Sequence, residues 1–109
     1  MLSRPQDFAA IQGAGVNRSH PLLTARFLRT DTETTRFGFA TGRRLGGAVV
    51  RNRVRRRLRE ALRAMPSCPP GWDVLIIARP AIVDADHDVL VSAVQRTLER
   101  GWAIGGKAR

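Results

Sequence analysis

Two early segments alternate apolar and polar residues with a period of two. In Leu22-Leu23-Thr24-Ala25-Arg26-Phe27-Leu28, Leu23, Ala25 and Phe27 share one face and Thr24 and Arg26 the other, which predicts a strand after Pro21. In Arg36-Phe37-Gly38-Phe39-Ala40-Thr41, Phe37, Phe39 and Thr41 turn to a core, and Gly38 and Ala40 leave the opposite face low. A sheet face made of Gly, Ala, Thr and Arg is a shallow floor that another chain can approach closely. The polar stretch Thr30 to Thr35 reads as a hairpin loop between these two strands.

The period then changes. Across residues 48–65, Val50, Val54, Leu58, Ala61, Leu62 and Met65 fall in one helical stripe, and Pro66, Pro69, Pro70 and Gly71 end the helix. Trp72-Asp73-Val74-Leu75-Ile76-Ile77-Ala78 is almost continuously apolar, as expected of a central strand buried on both faces and closed by Pro80. A last helix begins near Asp84 or Asp86, either of which can cap it, and runs to Arg100 before Gly101. Leu90, Val94, Leu98 and Trp102 line its apolar side, with Trp102 placed beyond the helix end. Near the start, Asp7 caps a short helix holding Phe8 and Ile11, ended by Gly13 and Gly15. The order helix, strand, strand, helix, strand, helix describes a small α/β or α+β sandwich. It is one domain over 1–109, without internal repeat or linker.

The 109 residues allow one small core. No apolar run is long enough for a signal h-region or a membrane span, so a cytoplasmic location is expected. Cys68 is the only cysteine and His20 and His87 stand apart, which argues against a disulfide or a zinc site. Charge adds the functional signal. The chain carries +10 overall, and residues 43–63 hold nine Arg against one acid, Glu60; the rest of the chain is nearly neutral. A neutral body with one strongly basic segment is the footprint of a polyanion-binding surface. On the helix, Arg51, Arg55, Arg59 and Arg63 form one ridge with Asn52 beside it, and Arg53 and Arg57 flank the stripe on its other side. Stacked like charges repel unless an anion neutralises them. The cations are 18 Arg and one Lys; phosphate recognition favours Arg, and a GC-rich genome gives the same bias.

The string Gly42-Arg-Arg-Leu-Gly-Gly-Ala-Val-Val-Arg-Asn-Arg-Val-Arg-Arg-Arg-Leu-Arg-Glu-Ala-Leu-Arg resembles the signature of the bacterial ribonuclease P protein subunit. Asp7-Phe8 ahead of a glycine, the Arg36-Phe-Gly-Phe strand and the segment from Gly71 through Trp72 to Arg79-Pro80 resemble that family in order and spacing, over about residues 6–102. The resemblance implies an α+β fold: a four-stranded mixed sheet with about three helices and a left-handed βαβ crossover. It also implies that the chain is an accessory subunit of a tRNA-processing endoribonuclease whose catalyst is a large RNA using Mg2+, with no catalytic residue, metal or cofactor of its own. The implied partners are that RNA and precursor tRNA. By the same resemblance Phe8, Arg26, Arg36, Arg51, Asn52, Arg55 and Arg59 approach the 5′ leader of precursor tRNA. Arg43, Arg44, Arg53, Arg56 and Arg57 engage the RNA subunit, and Thr24, Gly38 and Ala40 complete the sheet floor. Two aromatic positions of the family are Gln12 and Arg26 here, so leader binding leans on charge more than stacking. Gly46-Gly47 replaces a Gly-Asn pair, losing a capping side chain but keeping backbone freedom.

Other candidates read as structural. Phe37, Phe39 and Trp72 are core residues, Asp84, Asp86 and Asp88 are capping or solvated acids, and Cys68 is an incidental loop residue. Two rival readings of the basic segment are a ribosomal or ribosome-assembly protein and a DNA-binding domain that places residues 51–63 in a major groove.

Overall fold

The computed structural model describes residues 15–65 and 68–107. The expected N-terminal helix, with Asp7, Phe8 and Ile11, lies outside them, as does Pro66. Four strands, β1 (Val16–Ser19), β2 (Leu23–Arg29), β3 (Arg36–Ala40) and β4 (Trp72–Ala78), form one sheet in the order β1-β2-β4-β3. β1 with β2 and β2 with β4 are antiparallel, and β3 runs parallel to β4. The sheet is therefore mixed, and the fold is a small α+β domain. The sequence placed β2 and β3 in a hairpin through Thr30 to Thr35. Instead β4 lies between them, because its apolar run satisfies a strand covered on both sides by neighbours. The hairpin is made by β1, a strand with no apolar alternation that the sequence reading did not find. Its residues are largely exposed, and its pairing is dictated by β2.

Two helices cover one face: α1 (Ala48–Arg63) joins β3 to β4, and α2 (His87–Lys107) follows β4. α1 buries Val54, Leu58 and Ala61, with Leu62 and Met65 packed at the margin, as its stripe predicts. α2 buries Leu90, Ala93, Val94, Thr97 and Leu98. These meet Leu23, Ala25, Phe27, Val74 and Ile76 from the sheet, with Phe37 and Phe39 half-buried against the same core.

Asp86 stands immediately before α2, and its carbonyl accepts from Leu90 N at 2.9 Å. The tract between β4 and α2 is a 3-10 turn over Pro80–Asp84 that buries Ile82.

Gly101 does not end α2, which continues to Lys107. A β-carbon at Gly101 would lie 2.1 Å from Phe27 Cζ, so the glycine is a notch that admits the Phe27 ring. Trp102 is thus inside the helix rather than after it. It packs edge-on to Phe27, ring centres 5.3 Å apart, and meets Trp72 at 5.8 Å, with Phe27 and Trp72 at 6.1 Å completing a three-ring cluster.

Candidate nucleic-acid interface

The basic segment begins at a short 3-10 turn, Arg43–Leu45, anchored by buried Leu45 with Arg43 and Arg44 exposed. Gly46 then takes φ +136, where a side chain would be strained and would press on Val50. Gly47 stands at the start of α1 with no capping side chain, and its carbonyl accepts from Arg51 N at 3.0 Å. The first turn of α1 contains no acid, so the positive end of the helix and the arginines that follow it add rather than cancel.

The arginines of α1 do not all face outward. Arg57 is half-buried and donates from Nη2 to the Ala85 carbonyl at 2.5 Å and from Nη1 towards Ile82 O at 3.4 Å. It ties α1 to the 3-10 turn before α2, a role inside the fold that charge pattern alone did not indicate. On the other flank, Arg59 and Arg63 join Phe37 and Leu62 around a groove of about 250 Å3 between α1 and β3, which is an edge strand. Arg55 donates to Asn52 Oδ1, so these two side chains of the ridge are mutually oriented. Arg53, Arg56 and Arg59 are exposed, and Arg51 and Arg55 are half-buried.

The opposite face of the sheet carries the expected floor. Strand register sets it in rows: Arg36, Asp73 and Leu28; then Gly38, Leu75, Arg26 and Asn17; then Ala40, Ile77, Thr24 and Ser19. Leu75 is buried at the centre, with Leu28, Ala40 and Ile77 around it, so the floor is low and apolar in the middle. Both arginines of the floor are held by the protein. Arg36 grips Asp73 with two bonds, Nε to Oδ1 at 2.9 Å and Nη2 to Oδ2 at 2.7 Å. Arg26 donates to Asn17 Oδ1 at 2.7 Å and to Gly15 O at 3.1 Å. Phe8 lies outside the described residues.

At one end, the floor and the basic turn meet. Thr24, Ala40, Ile77, Arg44 and Arg79 share a cavity of about 510 Å3. Arg79 was not singled out from the sequence; its signal is its position immediately after β4, at the sheet end that the glycine loop also occupies. Among the described residues no three His, Cys, Asp or Glu side chains are grouped to hold a metal ion. No described helix is long and apolar enough to cross a membrane.

Comparison with known proteins agrees with this arrangement. The sequence model of the family Ribonuclease P matches residues 1–101. The ribonuclease P protein component of Roseiflexus castenholzii is 38% identical over 107 residues, covering 96% of this chain and 88% of the relative. That of Streptomyces avermitilis is 37% identical, covering 99% and 94%. In fold, the chain is similar to the Staphylococcus aureus RNase P protein, with a TM-score of 0.84 over 92% of this chain and 93% of that one at 22% identity. The Thermotoga maritima RNase P protein also gives 0.84, over 91% and 94% at 24% identity. With the family's pattern running through nearly its whole length, the chain belongs to the ribonuclease P protein family.

Proposed function

We propose that this chain binds the large catalytic RNA of ribonuclease P and the 5′ leader of precursor tRNA, and so assists removal of the leader. The observation that carries the reading is the outer flank of α1. Asn52, Arg55, Arg59 and Arg63 run along it, and among the described residues these arginines have no carboxylate within 4.0 Å. Their mutual repulsion calls for an anion from outside the fold. The leader, a single strand, suits a shallow floor bounded by guanidinium groups, where phosphates are neutralised and bases meet the apolar surface around Leu75. Arg43, Arg44, Arg53 and Arg56 are all exposed, and in this reading they meet the RNA subunit. Bond breaking and the Mg2+ it uses belong to the RNA in this reading; the protein contributes affinity and position.

Binding of leader-bearing precursor tRNA to the reconstituted complex tests it. Replacing Arg55 and Arg59 together by Ala should weaken leader binding by about 1 kcal/mol per contact removed. The same change should flatten the log-log salt dependence by about 0.7 for each phosphate released. An unchanged salt slope would remove the arginine flank from the leader site.

A further inference from the structure

At the edge of the sheet opposite β3, His20, at the end of β1, and α2 form a second groove. Arg100 of α2 donates from Nη1 to the Ser19 carbonyl of β1 at 3.2 Å. One turn earlier on α2, Arg96 lines a groove of about 330 Å3 together with His20, Asp88, Val89, Ser92 and Ala93. His20 follows β1 directly, and its Nδ1 accepts from Leu22 N at 3.0 Å. That bond puts the proton of the neutral ring on Nε2, which is then a donor. Burial, and then the positive charges of Arg100 and Arg96, hold the His20 pKa below its ordinary value, so the ring is kept in this neutral form.

The chemistry of the groove is that of an anion site. It offers a guanidinium, an imidazole N–H and the Ser92 hydroxyl, with Arg100 adjoining. Among the described residues neither Arg96 nor Arg100 has a carboxylate within 4.0 Å. Arg96 and Arg100 are four apart on one helix face, a like-charge pair that is unfavourable until an anion lies between them. Asp88, the acid of the same lining, is an acceptor for a hydroxyl. Phosphate oxygens beside a hydroxyl recur along the ribose-phosphate backbone of RNA.

We propose that the groove between β1 and α2 is a second RNA contact, in which His20, Ser92, Arg96 and Arg100 hold a phosphodiester stretch of the large RNA subunit. The proposal rests on the RNA-binding reading above. The leader is assigned there to the α1 flank and the floor, and a large folded RNA is the partner able to present backbone at both sheet edges. The protein is then gripped from two sides, with α1 and α2 facing different strands.

The test uses the full chain and measures two quantities: affinity for the isolated RNA subunit across a salt series, and affinity of the assembled complex for leader-bearing precursor tRNA. Arg96→Gln should lower RNA-subunit affinity about tenfold, the loss of one charge-assisted contact. It should also reduce the salt slope by about 0.7 to 0.9. Ser92→Ala should give a smaller loss with little change of slope. Because Arg96 and Ser92 are not in the core, thermal melting checks that both variants fold. Unchanged subunit affinity and slope in folded Arg96→Gln overturns the proposal, and so does a loss confined to precursor tRNA. The double replacement of Arg55 and Arg59 runs alongside. If it acts and Arg96→Gln does not, the groove fails alone; if neither acts on either RNA, the RNA-binding reading fails with it.

Discussion

α1 and α2 lie on the same face of one sheet and differ in what they give to it. α2 buries Leu90, Ala93, Val94, Thr97 and Leu98 and opens a notch at Gly101 for Phe27. α1 buries only Val54, Leu58 and Ala61 and carries seven arginines against one acid. Burial of apolar surface is what stabilises a domain of this size, so the larger share falls to α2. α1 is attached by a narrow stripe and by Arg57, which leaves two charged flanks available to a partner. A helix can hold a strongly self-repelling surface when a neighbouring helix supplies most of the packing.

The contrast is open to direct attack. Leu98→Ala in α2 should cost about 3 kcal/mol, the usual size for a fully buried leucine in a core with little room to collapse, read by urea denaturation. RNA affinity of the molecules that remain folded should stay as it was; a parallel loss would mean that α2 packing also shapes the α1 surface or the groove on α2. Gly101→Ala should destabilise by about 2 kcal/mol through collision with Phe27, even though alanine favours a helix by about 1 kcal/mol. A more stable variant would show that the Phe27 ring can move aside and that the notch is not needed. Arg57→Ala should lose about 1 kcal/mol in the same assay through its bonds to Ala85 and Ile82, whereas Arg53→Ala and Arg56→Ala should leave stability unchanged. Equal effects at all three would dissolve the division between inward and outward arginines on α1.

The smallest effect concerns pH. The His20 pKa is lowered by folding, so the unfolded chain takes up its proton first, near 6.5. The stability from neutral His20 is therefore fully present above pH 6.5 and declines as pH falls from there towards the lowered folded value. Burial, then Arg100 and Arg96, oppose protonation, and a single half-buried ring is involved, so the step should be modest. Comparing melting curves of the unchanged protein and His20→Gln between pH 7 and 5 checks it: the variant should lack that part of the decline.

Where one face of an element is buried, the sequence was legible. β2 announces itself through Leu23, Ala25 and Phe27, α1 through Val54, Leu58 and Ala61, and β4 through its unbroken apolar run. β1 was silent because an exposed edge strand is held by its neighbour's backbone, which leaves no periodicity to read. Gly101 was misread because a glycine beside a bulky ring and a glycine after a helix look alike until the ring is placed. In the candidate interface, the arginine ridge followed from spacing alone. The partners of Arg36, Arg26 and Arg57 did not, since Asp73, Asn17 and the Ala85 carbonyl are brought to them only by strand register and helix docking. Arg79 escaped for a related reason: it stands far from the basic segment in sequence and meets Arg44 only across the end of the sheet.

The strand order has a consequence in time. β4 is the last strand of the chain yet lies between two earlier ones: β2 and β3 are both made before α1, and β4 is made after it. The sheet cannot close, and Leu75 and Asp73 cannot complete the floor, until residues 72–78 arrive and insert between two waiting strands. Such non-local pairing delays folding, since long loops must close before the contacts they bring can form. During synthesis the arginine helix therefore emerges before the platform it is mounted on is complete. A chain halted before β4 would display the charge of the finished protein without the completed sheet beneath it.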